Sequence, residues 1–267
     1  MMRYIAILIT SLTLLVSQPT FAGSQATGEA QFPAEDIVAF AKQVEQYAAE
    51  QQAYAFIIAR QGRPEKELPE GITFTHVAVA VYSNIELDNG EVVQGYAIHN
   101  LYQRAKDPGH SDIIVDYPVD FFWAAKAMKA GIIIPSPAIQ QKLVALIASG
   151  KHLALHNPNY SVVANPHNRY RQNCTEYTLD VLQAAIYQTE DIDRIKENNS
   201  AYFTPQPVNM SRFKLAIGGM FSDGVTLNDH KGKVATATFG SLQRYMSKYG
   251  LSEQAVIMQS DGSITVL

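Results

Sequence analysis

Hydrophobic and polar positions alternate along this chain in two distinct rhythms. Over residues 34–52, Ile37, Val38, Phe40, Ala41, Val44 and Ala48 recur at helical spacing, and Pro33 suits a helix entry. The short apolar run 54–59 predicts a buried strand, and the charged, proline- and glycine-rich stretch 61–71 a loop. The clearest strand is 72–82. Val77, Val79 and Val81 fall on one face, and Phe74, His76, Ala78 and Ala80 on the other. Asp88-Asn89-Gly90 marks a hairpin turn, after which 91–101 returns as a second strand and 110–116 adds a third.

Further along, 137–149 reads as a helix with Ser136 as N-cap, Pro137 at its first position and Gly150 at its stop. Residues 160–164 predict a strand, 165–172 a polar loop, and 175–187 a helix. After Pro205 and Pro207, 211–217 predicts a strand, 239–249 a helix, and 254–267 a hairpin turning at Ser260-Asp261-Gly262. Helices in runs beside an antiparallel sheet imply an α+β fold.

The first residues set an expectation about compartment. A positive Met1-Met2-Arg3, an apolar run over 4–16, and Thr20-Phe21-Ala22 before Gly23 match a cleaved secretory signal. The expected organisation is a signal peptide over 1–22, an α+β core over 23–204 and a C-terminal extension over 205–267, in a periplasmic or secreted protein. No other segment is long and apolar enough to predict a membrane span. Without the signal, 20 basic residues face 25 acids, a net charge of −5. That balance argues against nucleic acid as a partner, since no basic excess exists to neutralise phosphates. The 47% apolar content is enough for a substantial core.

Export gives the single cysteine its interest, because exported proteins usually use cysteines in pairs. Asn173 is a good N-cap, and Glu176 three residues later completes a capping-box pattern. Cys174 then takes the first helical position, where the helix dipole and unpaired N–H groups favour a thiolate and can hold an oxyanion. A cysteine nucleophile needs a base, and His76 is the leading candidate because Ala78 and Ala80 on its own face leave room for a helix end. Pairing about either Asn89-Gly90 or a longer loop centred between Leu87 and Asp88 puts His76, His99 and Gln103 on one face, so His99 or Gln103 orients the imidazole. Only a bulge would bring Asn100 to that face instead. Three weaker candidates are His152 with His156 as a metal pair, Asp116 with Asp120 as paired acids, and His230, in what reads as an exposed turn, as an alternative base.

Two resemblances bear on these residues. The stretch 160–164, followed by Asn173-Cys174-Thr175-Glu176, resembles the strand and Asn-Cys-Glu motif of lecithin retinol acyltransferase-like proteins. His76-Val77-Ala78-Val79-Ala80 resembles their upstream histidine strand. Those proteins belong to the circularly permuted NlpC-like branch of the papain-like fold, in which histidine precedes cysteine. Tyr177 stands where their motif has a histidine, and the loop 165–172 separates strand from Asn173. Through Asp116-Tyr117-Pro118-Val119-Asp120 and the run 173–180, the chain also resembles an uncharacterised secreted bacterial family, domain of unknown function 2145.

The resemblance implies a thiol hydrolase or acyltransferase acting on an amide or ester, with lipid or N-acyl compounds as substrates; the expected compartment points to peptidoglycan peptides instead. Neither a cofactor nor a metal is implied. Two alternatives stay open: a non-catalytic envelope binding or assembly protein with Cys174 buried and inert, and a redox or intermolecular disulfide site at Cys174.

Overall fold

The computed structural model describes residues 29–209 and 225–267. The expected signal peptide and the expected strand 211–217 lie outside the described residues. Strands β1 (Ala55–Gln61), β2 (His76–Glu86), β3 (Val92–Gln103), β4 (Ser111–Asp116) and β5 (Ala127–Pro135) form most of one sheet. A two-residue ladder pairs β6 (Gln206–Pro207) with β7 (Ala235–Thr236), and β8 (Ser252–Gln259) and β9 (Ile264–Val266) complete the main sheet. Its order is β4-β3-β2-β1-β5-β8-β9, with every neighbouring pair antiparallel.

Helices cover both faces of this sheet. One face carries α1 (Ala34–Glu50) and α2 (Pro118–Trp123). The other carries α3 (Pro137–Ala148), α4 (Cys174–Tyr187), α5 (Ile192–Tyr202) and α6 (Phe239–Lys248). The fold is therefore mixed α+β, a large antiparallel sheet between helices. Double coverage explains the unbroken apolar run of β1, which is buried at all seven positions. Ala55, Ile57 and Ala59 pack toward α3 and α4, while Phe56 and Ile58 pack toward α1.

The β2–β3 hairpin closes on neither of the two loops that the sequence suggests. Leu87 and Glu91 still pair, with the Leu87 N–H donating to the Glu91 carbonyl at 2.8 Å. Only Asp88, Asn89 and Gly90 remain in the loop, and Gly90 takes φ +80°. A three-residue loop ending in a left-handed glycine is a favoured hairpin closure. Its odd length sets Val79 opposite His99 and Ala80 opposite Ile98, which reverses the expected face relation.

Several other expectations need correction. The stretch 160–164 is not a strand: Tyr160 makes a single bridge to Gln172, and the chain turns back with the Ala164 N–H on the Ser161 carbonyl. Phe74 precedes the β2 ladder and joins Val77 in the core on the α4 side, not the His76 face. The run 254–267 does form the expected hairpin, and its first arm, β8, lies beside β5 within the main sheet. Among the described residues, no helix is long and apolar enough to cross a membrane.

Candidate functional site

The start of α4 is anchored from three directions by one side chain. Asn173 Oδ1 accepts the Glu176 N–H at 2.9 Å, and its Nδ2 donates to the Val162 carbonyl at 3.0 Å and to Thr236 Oγ1 at 2.9 Å. Thr236 in turn donates to the Ala164 carbonyl at 2.8 Å. These bonds fix the amide so that its oxygen, not its nitrogen, caps the helix. Every residue of α4 from Cys174 to Ala185 is buried, polar ones included. Cys174 is itself 3% exposed, with Sγ 3.8 Å from the Thr75 carbonyl and 3.9 Å from Thr175 Oγ1.

Cys174 lines a narrow cleft of about 70 Å³ together with Thr75, Tyr160, Val162, Asn173 and Thr236. Phe74, Ile72 and Leu68 make much of the remaining wall apolar, and Arg63 and Glu67 also border it.

His76 lies on the other side of β2. Its ring is fully buried, stacks on Tyr102 with centroids 4.6 Å apart and planes 11° apart, and meets Phe121 at 5.5 Å. Nε2 lies 2.8 Å from Asn100 Oδ1, while Asn100 Nδ2 donates to the Ile98 carbonyl at 2.9 Å. The second bond settles the amide orientation, so Nε2 carries the ring hydrogen and Nδ1 the lone pair. Nδ1 has no hydrogen-bond partner among the described residues. Burial, then the Arg60 charge, holds the His76 pKa well below its ordinary value, against a smaller upward pull from Asn100. The imidazole is therefore neutral at neutral pH, a proton acceptor rather than half of a standing ion pair.

The predicted third members do not accompany it. His99 and Gln103 fall on the Val79 face because the turn holds an odd number of residues. His99 packs edge-on against His152 at 4.9 Å, and burial, then the neighbouring His152, lowers its pKa to about 4. Gln103 donates to the Pro108 carbonyl at 2.7 Å. Asn100 stands beside His76 instead, and regular pairing brings it there without the bulge that the sequence reading required.

Tyr102 and Asp116, absent from the expected site, adjoin it. The Tyr102 hydroxyl donates to Asp116 at 2.6 Å. Burial chiefly, with Asp116 and the Cys174 charge adding, holds its pKa well above the usual range despite Arg60. The phenol stacked on His76 thus lies within electrostatic reach of Cys174. Asp120 is exposed, and it is Tyr102 rather than a second acid that holds Asp116.

The remaining candidates separate. His152 packs on His99, whereas His156 Nε2 meets Ser111 Oγ at 3.1 Å. The described residues contain no group of three or more His, Cys, Asp or Glu able to hold a metal. His230 is not in an exposed turn: its side chain is 4% exposed and Nε2 meets the Val163 carbonyl at 2.7 Å.

A second polar cluster, also unanticipated, lies behind the first turn of α4. Lys196 of α5 donates to Glu176 Oε1 at 2.7 Å and to both Asp180 oxygens at 2.8 and 2.7 Å. A signal for it existed, because Lys196 and Asn199 lie on the same stripe as Ile192 and Ile195.

Fold and site together define a mixed α+β protein whose single thiol opens a buried helix at the floor of a cleft. The chain belongs to a family of uncharacterised proteins conserved in bacteria, DUF2145, whose model matches residues 47–246. No curated protein and no solved structure matches it.

Proposed function

We propose that this protein is an exported thiol hydrolase or acyltransferase with a papain-like core of the circularly permuted NlpC-like kind. The observation that carries the reading is the first turn of α4, where Asn173 holds Cys174 against a cleft at the positive end of a buried helix. Cys174 sulfur attacks a substrate carbonyl carbon, and its proton passes to His76 Nδ1. The tetrahedral oxyanion rests against N–H groups of the helix start. Collapse breaks the bond to the leaving amine or alcohol, which takes the proton from His76. Water or another nucleophile then cleaves the thioester. Asn100, in place of His99 or Gln103, orients the imidazole.

The reading requires the imidazole to reach the thiol around the start of β2, where the Thr75 carbonyl already approaches Sγ. Peptidoglycan peptides and lipid or N-acyl compounds are the substrate classes, given the export signal and the motif around Cys174. A second reading, a non-catalytic envelope binding or assembly module, is favoured by one specific observation: His76 is fully buried on the face away from the cleft.

Mass spectrometry after exposure to p-nitrophenyl acetate separates the two. The thiol-enzyme reading expects one acetyl group on Cys174 in the parent, none in Cys174→Ala, and acylation slowed about 100-fold or more in His76→Gln. Equal acylation rates in the parent and His76→Gln remove His76 from the mechanism. No acylation of the folded parent favours the binding module.

A further inference from the structure

Cys174 is almost fully buried yet borders the cleft, so a substrate or reagent must enter the cleft to reach its sulfur. We propose that the cleft admits a short, uncharged acyl chain of about four carbons and turns away charged peptide side chains and long lipid chains. The proposal rests on the thiol-enzyme reading and narrows its substrates to short N-acyl or ester compounds.

Size sets the chain length. The cleft holds about 70 Å³. An apolar cavity of about 150 Å³ takes a benzene ring, so half that space takes about three carbons. With the carbonyl carbon at sulfur, those carbons make a butanoyl group. Buried Phe74, Val163, Val208 and Ala237 form part of the wall, so a longer chain meets packed core rather than water.

The wall offers such a chain apolar contact and offers a charge no counterpart. Leu68, Pro69 and Ile72 are only half-buried, and all three border the cleft although they come from a charge-rich stretch. The polar residues of the wall are already committed. Asn173 Oδ1 accepts the Glu176 N–H, and its Nδ2 donates to the Val162 carbonyl and to Thr236. Thr236 donates to the Ala164 carbonyl, and Thr238 Oγ1 accepts the Ser241 N–H at 3.1 Å. Thr75 Oγ1 accepts the Gly62 N–H at 2.8 Å, and Tyr160 is not without a partner. Arg63 faces Glu67 at 3.8 Å, so their charges offset one another at the rim. A charged side chain entering this cleft loses its hydration and gains no partner, whereas each buried methylene adds about fourfold in affinity.

Two series of probes separate this fit from the chemistry. With n-alkyl methanethiosulfonates, the Cys174 sulfur attacks the alkylthio sulfur, a disulfide forms, methanesulfinate leaves and the thiol proton goes to solvent. That reaction needs neither His76 nor an oxyanion site, whereas acylation by p-nitrophenyl esters needs both. Rates on the folded full chain, followed by mass spectrometry, are each divided by the rate with N-acetylcysteine. The propyl thiosulfonate should exceed the methyl by about tenfold, and the octyl should fall about tenfold below the propyl. Esters should rank alike, butanoate above acetate and octanoate. A flat thiosulfonate profile, one that rises with length, or a Cys174 that no thiosulfonate reaches overturns the proposal. The expected thiosulfonate profile without any ester acylation refutes the enzyme and upholds the fit; ester acylation indifferent to chain length does the reverse. Ala237→Val, which adds two carbons to the wall, should cut the propyl-to-methyl ratio about tenfold. Ile72→Ala, at a half-buried position, should move the optimum to about six carbons, and it decides alone if Ala237→Val does not fold. A length profile that Ile72→Ala leaves unchanged overturns the proposal.

Discussion

Replacing Lys196 by methionine removes the only ammonium among the described residues that contacts Glu176 and Asp180, while keeping a long apolar stem of similar volume. Lys196 is 6% exposed and both acids 0%, so water cannot take over its role. Asp180 keeps the Gln172 and Asn199 donors, but among the described residues Glu176 loses the sole partner of Oε1 while Oε2 has none. Breaking a buried pair and stranding its partner costs about 3–5 kcal/mol. That is a large share of a total stability of roughly 5–15 kcal/mol. For a domain of this size it corresponds to a fall in Tm of roughly 6–20 °C.

The pH dependence gives the prediction its second edge. In the parent, coulombic attraction and hydrogen bonds from Asp180 and Glu176 outweigh burial and raise the Lys196 pKa. Its stabilisation is therefore present below the ordinary lysine range and is lost as pH rises through the folded value. In Lys196→Met Glu176 loses its counter-charge, so its folded pKa, already raised by burial, rises further. An acid whose folded pKa is raised destabilises the fold when ionised, and that cost fades as pH falls toward about 4. Urea melts followed by circular dichroism should show the widest gap from the parent at pH 7 and a narrower one at about pH 4.5. Asp180→Asn added to Lys196→Met should recover at least about 1 kcal/mol, the signature of coupled neighbours. A deficit below about 1 kcal/mol at pH 7, or one of equal size at both pH values, refutes the account of this cluster.

Three further outcomes follow from the same structure. Asn173→Ala should cost at least the ~0.5–2 kcal/mol of a lost cap and also slow iodoacetamide alkylation of the folded protein; a lower Tm with unchanged alkylation assigns Asn173 to the fold alone. His99, with a pKa depressed to about 4, binds a proton less readily folded than unfolded. Stability should therefore fall as pH drops from about 6.5 toward 4, by on the order of 3 kcal/mol, and a His99→Leu variant should show a flatter slope in urea melts across that window. Gly131→Ala places a Cβ 2.8 Å from ring atoms of both Phe74 and Phe239 and should cost about 1–3 kcal/mol by denaturant melt. Gly90→Ala meets no atom within 4 Å but must hold φ +80°, so about 1 kcal/mol is expected; a larger loss at Gly90 than at Gly131 inverts the reasoning.

The elements legible in the sequence are those whose burial is one-sided or whose ends carry strong signals. Helix α1 declares itself by its stripe, and α4 by the Asn173 cap, which makes the bond that its residue type promises. The elements missed are ambiguous for physical reasons. Strand β5 begins half-buried at Ala127, Met128 and Lys129 and only then becomes a buried run through Ile132, Ile133 and Ile134, so neither period dominates. Helix α2 is six residues long, too short for a periodicity to form. Helix α5 buries Lys196 and Asn199, so its inward face reads as polar. That face can be buried only because α4 supplies two acids to meet it, a tertiary fact that no local window contains.

The site turns on a parity, which sequence could bound but not decide. Asp88-Asn89-Gly90 offered a hairpin, and either a two-residue turn at Asn89-Gly90 or a longer loop centred between Leu87 and Asp88 would set His76, His99 and Gln103 on one face. The left-handed Gly90 instead closes a three-residue loop, and one residue of difference exchanges the two faces of β3. Asn100 and Tyr102 then meet His76, and His99 meets His152 across the other layer. An Asn side chain whose nitrogen is already committed to a backbone carbonyl can only accept from the ring, so this exchange also chooses the His76 tautomer. A turn more than ten residues away along the strand thereby determines which ring nitrogen holds a lone pair. The strand alternation that carried the prediction was sound, and the count of residues in one loop decided what it brought together.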